Sequence, residues 1–338
     1  MADPRGERLA TAYDLLMFDL DGVVYLDGRA VDHAADSIAE SRAGGAHIAF
    51  ITNNAARTPE EVSENLRRLG VGADATDVVT SSQAAARLLR ERHGDGAHVA
   101  VLGAAGLSAA LREAGLVPVP VGDPEAVAIV SGYAPEVRWK TIMRATVEIR
   151  NGLPWVATNT DPTLPTGEGP APGHGTLVAM ISDFAGVRPA VAGKPERPLF
   201  DETFRPVGGK RPLMVGDSLH TDIAGAHRAE TDSLLVMTGV TALSDLVAAR
   251  PDQRPTWVGH DLRALGRPGC AAAEHDGRWR ALGWSARAED GRLVVDGGGH
   301  PDGWWAAVGA AGWAHLDTTG DAVDVSGLTA PGPDADPG

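Results

Sequence analysis

The feature that most constrains this chain is a series of short, unbroken apolar runs, each ending in a cluster of small polar residues. Leu15-Leu16-Met17-Phe18 empties into Asp19-Leu20-Asp21-Gly22. Residues 48–51, Ile-Ala-Phe-Ile, empty into Thr52-Asn53-Asn54. Ala190-Val191-Ala192 leads into Gly193-Lys194-Pro195, and Pro212-Leu213-Met214-Val215 into Gly216-Asp217-Ser218. A run of four without polar alternation is buried on both faces, the signature of a strand inside a parallel sheet. Helical-period stretches separate the runs. One covers 34–43 before Gly44-Gly45, and another opens at Thr58-Pro59-Glu60-Glu61 with a cap and Pro at the first helical position. This alternation predicts an α/β fold with a Rossmann-like, doubly wound parallel sheet and right-handed crossovers.

Ligands of such sheets bind beyond the carboxyl ends of the strands, so the polar clusters are the candidate site. Taken singly, each is ambiguous. Asp19 and Asp21 fit an ordinary Asx turn as well as a pair of working carboxylates, with Gly22 allowing the backbone to curl. Thr52, Asn53 and Asn54 suit phosphate oxygens or a plain polar turn, and a lone Lys194 in a loop is usually solvated. Asp217, Ser218 and Asp222 add a second acidic cluster. The order of the four, each directly after an apolar strand, favours one shared site.

The runs FDLDGVVYLDG, ITNNAART, VAGKPERPLF and MVGDSLHTDIAGA resemble, in order, the four motifs of the haloacid dehalogenase superfamily. The Thr-Asn-Asn motif and the long insertion before the third motif are similar to the subgroup of NagD and the p-nitrophenyl phosphatases. That resemblance implies a phosphomonoester hydrolase. Asp19 would be the nucleophile, forming an aspartyl-phosphate, and Asp21 the general acid and base. Mg²⁺ would be held by Asp19, the Asp21 carbonyl and Asp217, with Asp222 and Ser218 in support. Thr52, Asn53, Asn54, Gly22 and Lys194 would hold the phosphoryl group. An acid at Asp21 separates phosphatases from dehalogenases, whose halide leaves without a proton, and from P-type ATPases. Glycerol 3-phosphate is the leading substrate, with 2-phosphoglycolate and sugar or nucleotide monophosphates as alternatives. A catalytically idle sensor is the competing class.

Three segments frame the motifs. Residues 1–80 and 187–265 are expected to form the core, and 81–186 an inserted α/β cap with strands at 98–102 and 126–130 and a helix at 137–150. In the cap, the loop after residue 157 makes Asn159, Asp161, Thr163 and Leu164 the specificity candidates. Gly103-Ala104-Ala105-Gly106 is half of a dinucleotide fingerprint, better explained as a tight turn. Residues 266–330 change texture, with Trp279, Trp284, Trp304, Trp305 and Trp313 among Gly-rich turns. They predict a small α+β extension of hairpin strands and a helix, faintly similar to a truncated acetyltransferase-like fold. The loop that would cradle an acyl carrier's pyrophosphate is absent, so packing or homodimer formation is expected of it. Residues 331–338 read as a disordered tail.

Composition sets the outer limits. With 43% apolar residues the chain can build real cores. A net charge of -15 argues against nucleic acid as a partner, because phosphate backbones are bound by basic surfaces. No run is long enough for a bilayer, so no membrane association is expected. Cys270 is the only cysteine, which leaves no intramolecular disulfide. A cytoplasmic protein acting on a small phosphorylated metabolite is the expectation.

Overall fold

The computed structural model describes residues 6–332 except 27, 167 and 168. Most of the expected tail, 333–338, lies outside the described residues. The contacts group the chain into two compact units. The first holds the chain up to Ile48, Leu69–Val71 and everything from Gly209 onward; the second holds Ala49–Arg68 and Gly72–Gly208.

In the first unit, Leu15–Phe18 lies beside Pro212–Gly216, followed by Asp232–Val236 and Trp257–Gly259, all parallel. Leu15, Leu16, Met17 and Phe18 are fully buried, as the unbroken apolar run requires. Phe18 pairs with Val215, and the Asp19 N–H extends the ladder to the Val215 carbonyl at 2.9 Å. Strands that run the same way end at the same edge. Asp19, Asp217 and the segment after Val236 therefore emerge side by side.

The Trp-rich C-terminal region also lies in this unit. The strands Ala273–His275, Arg278–Ala281, Trp284–Glu289 and Arg292–Gly297 form an antiparallel sheet in chain order, followed by the helix Pro301–Thr319. Trp304, Trp305, Ala307, Val308 and Ala311 are buried in one apolar cluster with Leu235, Leu246, Val247 and Val258. The Trp313 indole donates to the Leu246 carbonyl at 2.6 Å, and Arg254 forks onto Asp317 at 2.8 and 2.6 Å. Tryptophan dominates here because a small sheet and one helix need large side chains to close a core.

The second unit has a five-stranded parallel sheet in the order Ala190–Val191, Trp155–Ala157, Ala128–Ser131, His98–Leu102, Val117–Pro120. The helices Ala105–Glu113, Trp139–Arg150 and His174–Ala185 occur among its strands. Gly103 to Gly106 is the expected turn from strand to helix. The strand His47–Thr52 carries the chain into this unit, where Phe50, Ile51 and Thr52 pair in parallel with Val78–Thr80.

One local reading changes. The stretch after Thr160, expected to be a loop, contains the strand Thr163–Thr166, paired antiparallel with Gly169–Pro172. Prolines at 165, 170 and 172 are compatible with it, because Pro165 faces Pro170 and Pro172 faces Thr163, alternate pairs of the antiparallel ribbon that make no ladder hydrogen bond. Among the described residues no helix is long and apolar enough to cross a membrane.

Candidate active site

An acidic cluster lies in the first unit. Side-chain oxygens of Asp19, Asp217 and Asp222 lie within 4.8 Å of one another. Asp19 is half-buried at its strand tip, whereas Asp217 and Asp222 are 2% and 0% exposed. Asp222 reaches the cluster through the short helical turn Leu219–Ile223, which Ser218 caps by accepting the Thr221 N–H at 3.3 Å. Its Oδ2 accepts the N–H groups of Asp217 and Ser218 at 3.2 and 3.1 Å. Asp222 is thus both a brace for the Asp217 loop and a member of the carboxylate group, a closer position than the supporting one its sequence offset suggested.

Asp217 is held by the segment after the strand Asp232–Val236, a segment with no acid or base to mark it in the sequence. Its Oδ2 accepts the Val240 N–H at 2.7 Å, and its carbonyl accepts the Thr241 hydroxyl at 2.5 Å. Thr238 donates to the Gly22 carbonyl at 2.6 Å, tying the same segment to the Asp21 loop. Gly22, at φ +82°, and Gly239 both press against the Asp217 carboxylate so closely that a Cβ on either would collide with it. Thr-Gly-Val-Thr directly follows an apolar strand, so the rule that found Asp217 would also have found it. Asp21 is exposed, on a tight turn closed by the Gly22 N–H to Tyr25 carbonyl bond at 2.8 Å.

Two unit charges at that spacing repel by roughly 3 kcal/mol at an effective dielectric of 20. Three such carboxylates, two of them buried, are stable together when a cation sits among them. An all-oxygen donor set of this charge matches a hard divalent ion such as Mg²⁺ or Ca²⁺.

A separate polar cluster lies in the second unit. Thr52 is buried, and its hydroxyl accepts the Asn54 N–H at 3.0 Å. Lys194, 2% exposed, follows the strand Ala190–Val191, and Asn159 follows its parallel neighbour Trp155–Ala157. Parallel pairing therefore brings Lys194, Asn159 and Asp161 to one edge. Asn53 joins them: its side-chain amide donates to Asp161 at 3.1 Å and to the Lys194 carbonyl at 3.0 Å, and accepts the Lys194 N–H at 2.8 Å. Thr163 is exposed and Leu164 half-buried on the hairpin. His174 is hydrogen-bonded to Ser131 at 3.1 Å, and His220 to Gln253 at 2.8 Å.

A parallel α/β sheet with a carboxylate cluster at its strand ends defines a class of metal-assisted hydrolases, and sequence relationships narrow it. Residues 16–117 match the haloacid dehalogenase-like hydrolase family, and residues 191–265 match the HAD-hydrolase-like family. The chain is 41% identical over 257 residues to the D-glycerol 3-phosphate phosphatase of Mycobacterium tuberculosis, covering 76% of this chain and 72% of the relative. It is 35% identical to the acid sugar phosphatase of Staphylococcus aureus, over 74% of this chain and 95% of that one. The chain belongs to the haloacid dehalogenase-like hydrolases, as one of their phosphatases.

Solved structures agree. The M. tuberculosis glycerol phosphate phosphatase in complex with calcium superposes with a TM-score of 0.84 at 35% identity, covering 96% of this chain and 94% of its own. The 4-nitrophenylphosphatase of Thermotoga maritima gives 0.70 at 28% identity, over 76% of this chain and 98% of its own. The mycobacterial structure therefore matches a part of this chain that the Thermotoga enzyme lacks.

Proposed function

We propose that this phosphatase is a Mg²⁺-dependent phosphomonoesterase working through a phosphorylated Asp19, with glycerol 3-phosphate as its leading substrate. The carboxylate cluster of Asp19, Asp217 and Asp222 carries the reading, because it offers a nucleophile within a metal-sized ring of oxygens. The substrate rests on similarity to the mycobacterial D-glycerol 3-phosphate phosphatase. 2-Phosphoglycolate and sugar monophosphates are the alternatives. The structure of that glycerol phosphate phosphatase in complex with magnesium, at a TM-score of 0.83 and 36% identity, supports the choice of ion.

Asp19, the Asp21 carbonyl and Asp217 would hold Mg²⁺, with Asp222 and Ser218 fixing the Asp217 loop. The ion supplies charge neutralisation that lets a carboxylate approach a phosphate dianion. Asp19 attacks phosphorus as the ester P–O bond breaks, and Asp21 gives its proton to the departing alkoxide. Water then attacks the aspartyl-phosphate, losing its proton to Asp21 and releasing phosphate and free Asp19. The Thr52 hydroxyl, the main chain at Gly22, Asn53 and Asn54, and the Lys194 ammonium counter the charge that grows on the phosphoryl oxygens.

We assign residues 81–186 as the cap, with Asn159, Thr163 and Leu164 selecting the leaving group, and residues 266–330 as a packing extension.

Phosphate release from a panel of small phosphomonoesters, with and without EDTA, tests the proposal. Glycerol 3-phosphate should give the highest kcat/KM, EDTA should abolish turnover, and Asp19→Asn should leave less than about one per cent of it. Absence of turnover on every ester, or an Asp19→Asn variant that keeps more than a few per cent, would overturn the assignment.

A further inference from the structure

We propose that Asn53 is a positioning residue that fixes Lys194, and that Asp161 serves this clamp rather than recognition of the leaving group. The inference rests on the phosphatase reading for its catalytic consequence, though not for its geometry.

The Asn53 carboxamide closes a ring with the main chain of a single residue. It donates to the Lys194 carbonyl at 3.0 Å and accepts the Lys194 N–H at 2.8 Å. A planar amide bound to both the N–H and the C=O of one residue acts as a substitute strand, setting the direction in which the lysine side chain leaves the backbone. A carboxamide has two donor hydrogens. The second goes to Asp161, whose carboxylate oxygens both lie 3.1 Å away. That bond is charge-assisted and sets the plane of the amide.

The surroundings reinforce the clamp. The Asn53 carbonyl accepts from the Asn159 side chain at 2.7 Å and from the Ser81 hydroxyl at 2.8 Å. Asp161 is itself steered by its N–H bond to the Asn159 side chain at 3.2 Å. Gly193 has no room for a side chain, because a Cβ there would meet Asn53 Oδ1 and the Thr158 carbonyl. Lys194 is buried to 2% exposure, so the main-chain direction decides where its ammonium can sit. With both amide donors engaged, the Asn53 side chain is spent on architecture, and its contact with a phosphoryl group is left to the main chain.

Kinetics of full-length variants on p-nitrophenyl phosphate, glycerol 3-phosphate and 2-phosphoglycolate test this. Asn53→Asp replaces the donor with an acceptor facing the Lys194 carbonyl and Asp161. It should lower kcat about 100-fold, the scale of a misplaced catalytic group. Asp161→Ala should lower kcat about tenfold, by the same factor for all three esters and with KM little changed, because charge on Lys194 matters most in the transition state. Asp161→Asn keeps an acceptor and should recover most of that loss.

Losses that differ more than tenfold between esters, or an Asp161→Asn variant as impaired as Asp161→Ala, would overturn the clamp. Hydrogen exchange at the Lys194 N–H gives a readout independent of turnover. It should be slow in the wild type and in Asp161→Asn, and at least tenfold faster in Asn53→Ser. Equal protection in all three would refute the ring even if Asn53→Asp fails to fold. A wild type inactive on every ester would instead refute the phosphatase reading.

Discussion

Acidification should weaken the second unit through one buried imidazole, and the effect can be isolated. His174 opens the helix His174–Ala185 and is 3% exposed. Its Nε2 lies 3.1 Å from the Ser131 hydroxyl, which also accepts the Trp155 indole N–H at 2.8 Å. Burial pushes the imidazole down to about 4, with a hydrogen bond to the Ser131 backbone acting in the opposite direction. A cation at a helix N-terminus is disfavoured as well. Because the folded value lies below the unfolded value of about 6.5, the native state holds the neutral ring. Its contribution is complete above pH 6.5 and is lost as pH falls toward 4. Linkage puts the loss at about 2 kcal/mol by pH 5 and about 3 kcal/mol near pH 4. Other groups titrate in the same range, so the informative quantity is the difference in urea-unfolding free energy between wild type and His174→Gln. That difference should shift against the wild type by about 2 kcal/mol between pH 8 and pH 5. A difference flat across that range, or a His174 ring titrating near 6.5 by NMR, would refute the reasoning.

Three further outcomes follow from close packing in the first unit. Gly239→Ala drives a methyl into the Asp217 carboxylate, so the Mg²⁺ concentration for half-maximal activity should rise at least about tenfold while the melting temperature changes little. An unchanged Mg²⁺ titration would show that the loop yields at no cost. Trp305→Ala should lower unfolding free energy by about 3–5 kcal/mol. Ending the chain at residue 300 should give an insoluble product, because Leu246, Val247 and Val258 lose the helix that covers them. A soluble truncated protein with a single sharp unfolding transition would contradict a shared core.

Much of the site could be read before any coordinates because the fold and the chemistry use the same signal. An apolar run that ends in Asp, Thr-Asn or Gly-Asp marks both a buried parallel strand and the edge where ligands bind. Asp19 and Asp217 were found in this way, and their strands do lie side by side. The Trp-rich tail was legible as hairpins and a helix for the same local reasons. Its attachment was not, since Trp304 and Trp305 share a core with Leu235 and Val258, far away in sequence. The hairpin after Thr160 was hidden because proline reads as a breaker until the register places its missing N–H at a pair that makes no ladder bond.

Identity and order of the strand-tip residues, and so the family and its reaction class, are written in the linear chain, where period and turn chemistry act over a few neighbours. Tertiary structure alone decided what each residue does beside its partners. Asn53 reads as a phosphate ligand in sequence, yet its amide is committed to Lys194, 141 positions later. The Asp217 carboxylate is gripped by Val240 and flanked by two glycines from separate segments. Such contacts depend on angström-scale approach between segments remote in sequence, and no local pattern encodes that distance.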